Sequence, residues 1–294
     1  MRPLVSIGLP TYNRAEKLAR AMEFLLAQDY RQIEVVISDN ASTDSTAEVC
    51  ERLRRLDSRV RYIRQPSNIG PTANYRKVLE AATGDLYMAT ADDDWPDADY
   101  VSKCVDALRS SDLILVCGRS HMYKDGKFSH DSFATSLTQD SPTDRVVEYY
   151  RTVTDNGAFH GLIRRQALLD RPKMPKTMGG DWPWMASIAF SGKIDTLEST
   201  GIIKHQGGAT RSFEDIASTL GLPAWQARYW TEAILGAVLG DIARSPVYAP
   251  LGPAGRLRLA TRVALTLAQR WKIWTRWRGY VGQLVRAGVR RRFP

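Results

Sequence analysis

The sequence predicts an α/β protein with a mostly parallel, doubly wound sheet and a basic helical extension at its C-terminal end. Three observations carry this. Short apolar, β-branched runs alternate with amphipathic stretches of helical period through the first 120 or so residues. Each of the first four apolar runs ends in a polar, turn-forming segment. The net charge of +9 is uneven: beyond Asp241 stand twelve Lys and Arg residues and no acid, which leaves −3 for the rest of the chain.

The elements follow in order. Residues 4–9 read as a buried strand ending at Pro10. Leu18, Met22, Leu25 and Leu26 recur at helical spacing over 15–27. Residues 33–38 are a β-branched strand, and 42–55 open with hydroxyls and acids suited to capping a helix. A strand at 60–64, a helix at 71–82 and a strand at 86–90 complete a β-α-β-α-β-α-β order, which implies parallel pairing. A helix from Pro96 to Leu108 and a strand at 113–117 come next. Residues 118–145 are polar and turn-rich and read as an excursion from the sheet. A strand at 159–164, helices at 165–169 and 182–191, and a strand and turn at 193–201 follow. Residues 218–243 are helical with a break near Gly221-Leu222-Pro223, and 245–255, with three prolines and two glycines, read as a linker.

Bulk properties exclude several classes. Hydrophobic content of 44% and charged content of 25% are those of a soluble globular protein. Cys50, Cys104 and Cys117 form no CxxC pair and fit reduced thiols in a cytoplasmic setting. No run reaches the roughly 18 apolar residues of a spanning helix, and the N-terminal run is too short and strand-like for a signal peptide.

The chemistry gathers where the strands end. Pro10-Thr11-Tyr12-Asn13-Arg14 follows the first strand and Asp39 to Asp44 the second. Asn68-Ile69-Gly70 follows the third, and Asp92-Asp93-Asp94 the fourth. Polar loops on one edge of a parallel sheet make a binding crevice. Three adjacent carboxylates repel one another unless solvated or neutralised, and hard oxygen ligands suit Mg²⁺ or Mn²⁺ bound to phosphate. Neither GxGxxG nor GxxxxGK[ST] is present, so a dinucleotide site and a P-loop are unsupported.

Taken together, these segments resemble the family 2 glycosyltransferases, whose fold is the Rossmann-like GT-A fold; Gly84-Asp85 adds to the match, which covers about residues 3–120. The resemblance implies an inverting, metal-dependent transfer of one sugar from a nucleotide-diphosphate sugar to an acceptor hydroxyl. It implies a catalytic domain over 1–215, with the donor bound by about 1–118 and the acceptor and base on 119–215. A helical segment and linker at 216–254 and a tail at 255–294 lie outside it. Pro10, Thr11, Tyr12, Arg14, Asp39, Asn68, Asp92 and Asp93 are then nucleotide-side residues, with the Asp39 carboxylate suited to the N3–H of UDP or dTDP. Asp94 is a metal ligand, with Mn²⁺ or Mg²⁺ as cofactor. Asp181 matches the general base; the family often has Glu-Asp there, whereas this chain has Gly180. At a helix start its pKa is expected to be lowered. The segment from His205 to Ser212 resembles the family's later histidine segment, with His205 a metal or diphosphate contact and Arg211 a diphosphate contact. Trp182 and Trp184 are candidates to stack on an acceptor sugar or to pack in the core. His121, His130 and His160 show no metal-ligand spacing and read as surface or core residues.

Leu267, Trp271, Trp274, Trp277, Val281 and Leu284 form an Arg-flanked helical stripe. It fits a helix lying on an anionic membrane surface, hence a peripheral protein with a glycan or glycolipid acceptor. The same stripe would also serve packing on the catalytic domain or in a homo-oligomer, and no nucleic-acid module is recognisable. Gln269-Arg270-Trp271 lacks the spacing of the QxxRW signature of processive synthases. Two rivals remain: a sugar nucleotidyltransferase, which needs a Gly-rich basic loop that Pro10 to Asn13 does not supply, and a binding protein that has lost turnover.

Overall fold

A computed structural model describes residues 2–272, apart from 125, 155 and 207–211. Its first half is the expected alternation: β1 (Val5–Thr11), α1 (Ala15–Leu26), β2 (Ile33–Asp39), α2 (Thr46–Leu56), β3 (Val60–Arg64), α3 (Pro71–Ala81) and β4 (Leu86–Ala89). These four strands pair in parallel in the order β3-β2-β1-β4. β1 and β2 are buried on both faces, which is why they read as continuous apolar runs.

The second half is mixed. β5 (Asp94–Pro96), α4 (Tyr100–Ser110), β6 (Leu113–Lys124), β7 (Lys127–Asp131) and α5 (Pro142–Thr152) lead through a 3-10 turn at Gly157–His160 to β8 (Leu162–Arg164). Then come α6 (Gln166–Leu169), α7 (Asp181–Ser191), β9 (Lys193–Gln206), α8 (Phe213–Leu220), α9 (Ala224–Arg228) and α10 (Trp230–Arg244). A second 3-10 turn at Pro246–Leu251 precedes α11 (Gly252–Arg270). The sheet continues β4-β8-β6-β9-β5, with β7 beside β6; β8 runs antiparallel to both neighbours and β9 parallel to β6.

Helices cover both faces. α1, α2 and α4 send Leu18, Met22, Cys50, Val101 and Cys104 into one core. α3, α5, α7, α10 and α11 build the other, with Tyr149, Met185, Ile234 and Val263 fully or almost fully buried. Among the described residues no helix is long and apolar enough to cross a membrane.

Several segments depart from expectation. The helix expected at 42 starts at Thr46, because 40–45 fold into a loop held by side chains. The helix expected at Pro96 starts at Tyr100, because Asp94–Pro96 pairs with β9 as a sheet-edge strand, where a proline costs no ladder bond. The polar stretch 118–145 holds the end of β6, all of the exposed β7 and the start of α5. α5 opens at Ser141, whose hydroxyl accepts from the Asp144 N–H. The segment read as a linker at 245–255 is ordered, with Tyr248 fully buried against Phe190. The first part of the tail is core: Leu259, Val263 and Leu267 of α11 are buried in the cluster that includes α5 and α10. Residues 274–284 of the stripe lie outside the described residues.

Candidate active site

Strand order reverses between β1 and β4, and that reversal leaves a crevice at their C-terminal ends. The two loops there are tied directly. Thr11 Oγ1 donates to Asp92 Oδ2 at 2.8 Å. Arg14 Nη1 donates to Asp92 Oδ1 at 2.7 Å and to Asp93 Oδ2 at 2.8 Å, and Lys17 Nζ lies 3.5 Å from Asp93 Oδ2. Burial raises the pKa of Asp92 against the pull of Arg14. Burial also works against the Arg14 charge, but the two carboxylates outweigh it and its pKa rises.

The loops after β2 and β3 form the neighbouring wall. Asp39 is fully buried; Oδ1 accepts from the Ser42 N–H at 2.8 Å and Oδ2 from the Tyr62 hydroxyl at 3.1 Å. Asn40 Nδ2 donates to Asn68 Oδ1 at 2.8 Å, and the Ile69 N–H to Asn40 Oδ1 at 2.8 Å. Asn13, in the left-handed region at φ 53°, accepts from the Thr43 N–H at 2.7 Å. Tyr12 stands 42% exposed at the mouth, and Pro10 lies in β1 opposite Ser38. The expected nucleotide-side residues are therefore brought together, with Asp39 at the base of its loop and Tyr12 at the rim.

Asp94 is different from its two neighbours. It is buried, and its Oδ2 has no hydrogen-bond partner. His160 Nδ1 is 3.3 Å away but donates to the Ala89 carbonyl at 3.1 Å, and burial keeps that imidazole neutral by pushing its pKa well down. Burial, opposed by Lys204 and aided by Asp93 and Asp92, raises the Asp94 carboxyl to about 6. A buried carboxylate oxygen without a partner is costly and calls for a cation. Among the described residues no group of three or more His, Cys, Asp or Glu is arranged around a metal position. A hard cation that keeps waters and substrate phosphate oxygens needs only one or two protein carboxylates, so Asp94 fits such an ion.

His205 Nδ1 donates to the Asp93 carbonyl at 3.1 Å, and its ring packs on Trp95 with centroids 4.2 Å apart. Asp94 pairs with Lys204, and Trp95 with Ile203. Side chains alternate along a strand, so His205 shares the Trp95 face while Lys204 shares the Asp94 face. Arg211 lies outside the described residues.

Asp181 is the first residue of α7. Its Oδ2 accepts from Asn156 Nδ2 at 2.7 Å, and Asn156 Oδ1 accepts from the buried Tyr149 hydroxyl at 3.1 Å. The helix start was expected to lower its pKa. Burial instead dominates and raises it, although the Asn156 bond, the helix-start N–H groups and Lys204 pull the other way. The departure at Gly180 has a steric cause: a Cβ there would stand 2.1 Å from the Pro175 carbonyl oxygen. Trp184 packs against Phe159 at 5.6 Å and lines a cleft of about 640 Å³ running from the Asn68–Gly70 loop past Tyr75 to Leu220. Trp182 lies against Trp271 at 5.9 Å, with the Arg270 guanidinium 5.6 Å over its ring. The two tryptophans thus serve different surroundings.

Asn156 and Lys204 are site residues that sequence reasoning passed over, whereas His160, read as a surface or core residue, is buried beside Asp94. An Asn-Gly pair marks a left-handed turn, which Asn156 makes at φ 54°. Lys204 was recoverable only once β9 was known to pair with the acidic run.

The family model described as Glycosyl transferase family 2 matches residues 6–171. A GalNAc(5)-diNAcBac-PP-undecaprenol beta-1,3-glucosyltransferase of Campylobacter jejuni is 29% identical over 170 residues, 56% of this chain and 53% of that protein. An uncharacterized protein of Mycobacterium tuberculosis is 29% identical over 309 residues, covering 95% of this chain and 87% of its own. The chain spans less than two thirds of the first curated relatives it matches, for example 22% of the glycosyltransferase GlyA of Streptococcus pneumoniae. In fold it resembles S. aureus TarS 1-349 in complex with UDP-GlcNAc, with TM-score 0.61 and 19% identity over 90% of this chain and 73% of that one. It also resembles mannosyltransferase PcManGT from Pyrobaculum calidifontis in complex with GDP-Man and Mn2+, with TM-score 0.54 and 20% identity over 95% and 85% of the two chains.

Proposed function

Because the chain belongs to glycosyl transferase family 2, we propose that it transfers a single sugar from a nucleotide-diphosphate donor to an acceptor hydroxyl with inversion. The observation that carries this is the unpartnered, buried Asp94 oxygen at the crevice where the Thr11, Arg14 and Asp92 network closes. The nucleotide is held over β1 to β3 by the Asp39 and Asn68 loops. UDP and dTDP are favoured on the family resemblance alone, because the Asp39 carboxylate is fully buried and already accepts from Ser42 and Tyr62. Asp181 accepts the acceptor's hydroxyl proton as that oxygen attacks the anomeric carbon. The bond from that carbon to the diphosphate oxygen breaks, and its electron pair leaves with the nucleoside diphosphate. Asp94 would hold a divalent cation, which when bound would neutralise charge on the departing diphosphate. Asn156 and Tyr149 orient the Asp181 carboxylate.

The acceptor fits a lipid-linked glycan, a class named for the Campylobacter relative. Residues 273–294 hold six arginines and no acid, which suits an anionic membrane surface. Equal sedimentation with anionic vesicles by the full chain and by a chain ending at 272 would refute that attachment.

Thermal denaturation with UDP, dTDP, GDP and CDP, each with and without Mn²⁺, tests the donor site. A ligand at about 100 times its Kd adds roughly 2.7 kcal/mol. A metal-dependent rise in Tm that disappears in Asp94→Asn supports the assignment; no rise with any nucleotide refutes it.

A further inference from the structure

Lys204 lies directly opposite Asp94 in the β5–β9 ladder and opposite Met122 across β6. Residues opposite each other in an antiparallel pair project to the same face with Cβ atoms about 5 Å apart. Its ammonium therefore stands on the side of the sheet where Asp94 presents an open oxygen. It also acts electrostatically on the carboxylates of Asp94 and Asp181 and on the imidazole of His160. Among the described residues, Lys204 makes no ion pair and its ammonium no hydrogen bond. By contrast, Arg14 and Lys17 are already committed to Asp92 and Asp93.

We propose that Lys204 is a catalytic residue: its ammonium binds the donor's diphosphate and stabilises the charge that develops there as the glycosidic bond breaks. This rests on the glycosyl-transfer reading. The acceptor's proton goes to Asp181, and the electron pair of the broken bond stays on the diphosphate oxygen that Lys204 contacts. A half-buried cation on this face, uncommitted before the substrate arrives, needs no reorganisation to act.

The test compares UDP with uridine, by calorimetry on the full chain, in Mn²⁺ and in chelator. A charge-assisted contact to phosphate is worth about tenfold or more in affinity. Lys204→Met is expected to lose at least about that factor for UDP in both conditions while uridine affinity holds, and Lys204→Arg to recover most of it. Equal UDP affinity in wild type and Lys204→Met would overturn the proposal. So would a parallel loss for UDP and uridine, which would mean that Lys204 only shapes the crevice. If Lys204→Met does not fold, Lys204→Gln takes its place under the same criteria. Failure of the wild-type chain to bind UDP, dTDP, GDP or CDP would instead refute the transferase reading itself, and Lys204's role with it.

Discussion

Asn156 offers a sharp test of the base. Its amide donates to Asp181 at 2.7 Å, a bond that stabilises the ionised carboxylate more than the neutral acid. Burial already raises the Asp181 pKa, and this bond is the largest opposing influence. Hydrogen bonds to charged groups contribute about 1.5–3 kcal/mol, and 1.36 kcal/mol corresponds to one pH unit. Allowing for partial replacement by water, loss of the amide should move the acid limb of the kcat profile up by about one pH unit. The sign follows from the role. A base works when ionised, so activity falls as pH drops through its pKa, and a higher pKa moves that fall to higher pH. Asn156→Gly removes the amide without strain at φ 54°, and Asn156→Ala adds the strain. Both should shift alike. Tyr149→Phe frees the amide to rotate and should shift in the same direction by less. The assay is the initial rate of nucleoside diphosphate release as a function of pH. An acid limb unmoved in both Asn156 variants, with activity lowered uniformly, would refute Asp181 as the base held by Asn156.

Three stability predictions stand beside it. Burial works against the Glu34 charge, but hydrogen bonds from Ser6, Arg61 and Thr83 outweigh it and lower its pKa to about 2 from 4.5. Its folded pKa lies below the unfolded one, so the stabilisation is complete above pH 4.5 and is lost as pH falls toward 2. Glu34→Gln should cost about 2 kcal/mol at neutral pH after allowance for solvent screening, the gap closing in urea titrations at acid pH. Gly180→Ala forces a Cβ onto the Pro175 carbonyl and should cost about 2 kcal/mol while lowering kcat through a displaced Asp181. Leu259→Ala should cost about 2–5 kcal/mol by thermal denaturation; an unchanged Tm would mean that α11 is not part of the core.

The parallel half was legible because β1, β2 and β4 are buried on both faces and its helices on one. Periodicity then maps directly onto burial, as Leu18, Met22 and Leu25 show. Loop chemistry at the strand ends located Thr11, Asp39, Asp92 and Asp94 because β2, β1 and β4 are parallel neighbours, so the segments that follow them meet on one edge of the sheet. β7 was not legible, since all five of its residues are exposed and leave no apolar alternation to read. The partners of the acids were hidden by distance. Asp94 meets Lys204 through an antiparallel pairing between residues 110 positions apart, and no local pattern announces such a register. The sign of the Asp181 shift was missed because a helix end is visible in sequence whereas desolvation by a folded neighbourhood is not.

The crevice is stitched by bonds of very long span. Thr11 reaches Asp92 across 81 positions, and His205 reaches Asp93 across 112. Contacts of that span close late, after the loop entropy of every intervening crossover has been met. Nascent or misassembled chains therefore hold the sequence of the acids without their geometry. On the glycosyl-transfer reading, nucleotide affinity would gauge completed folding, and a chain arrested before β9 docks would not bind the donor.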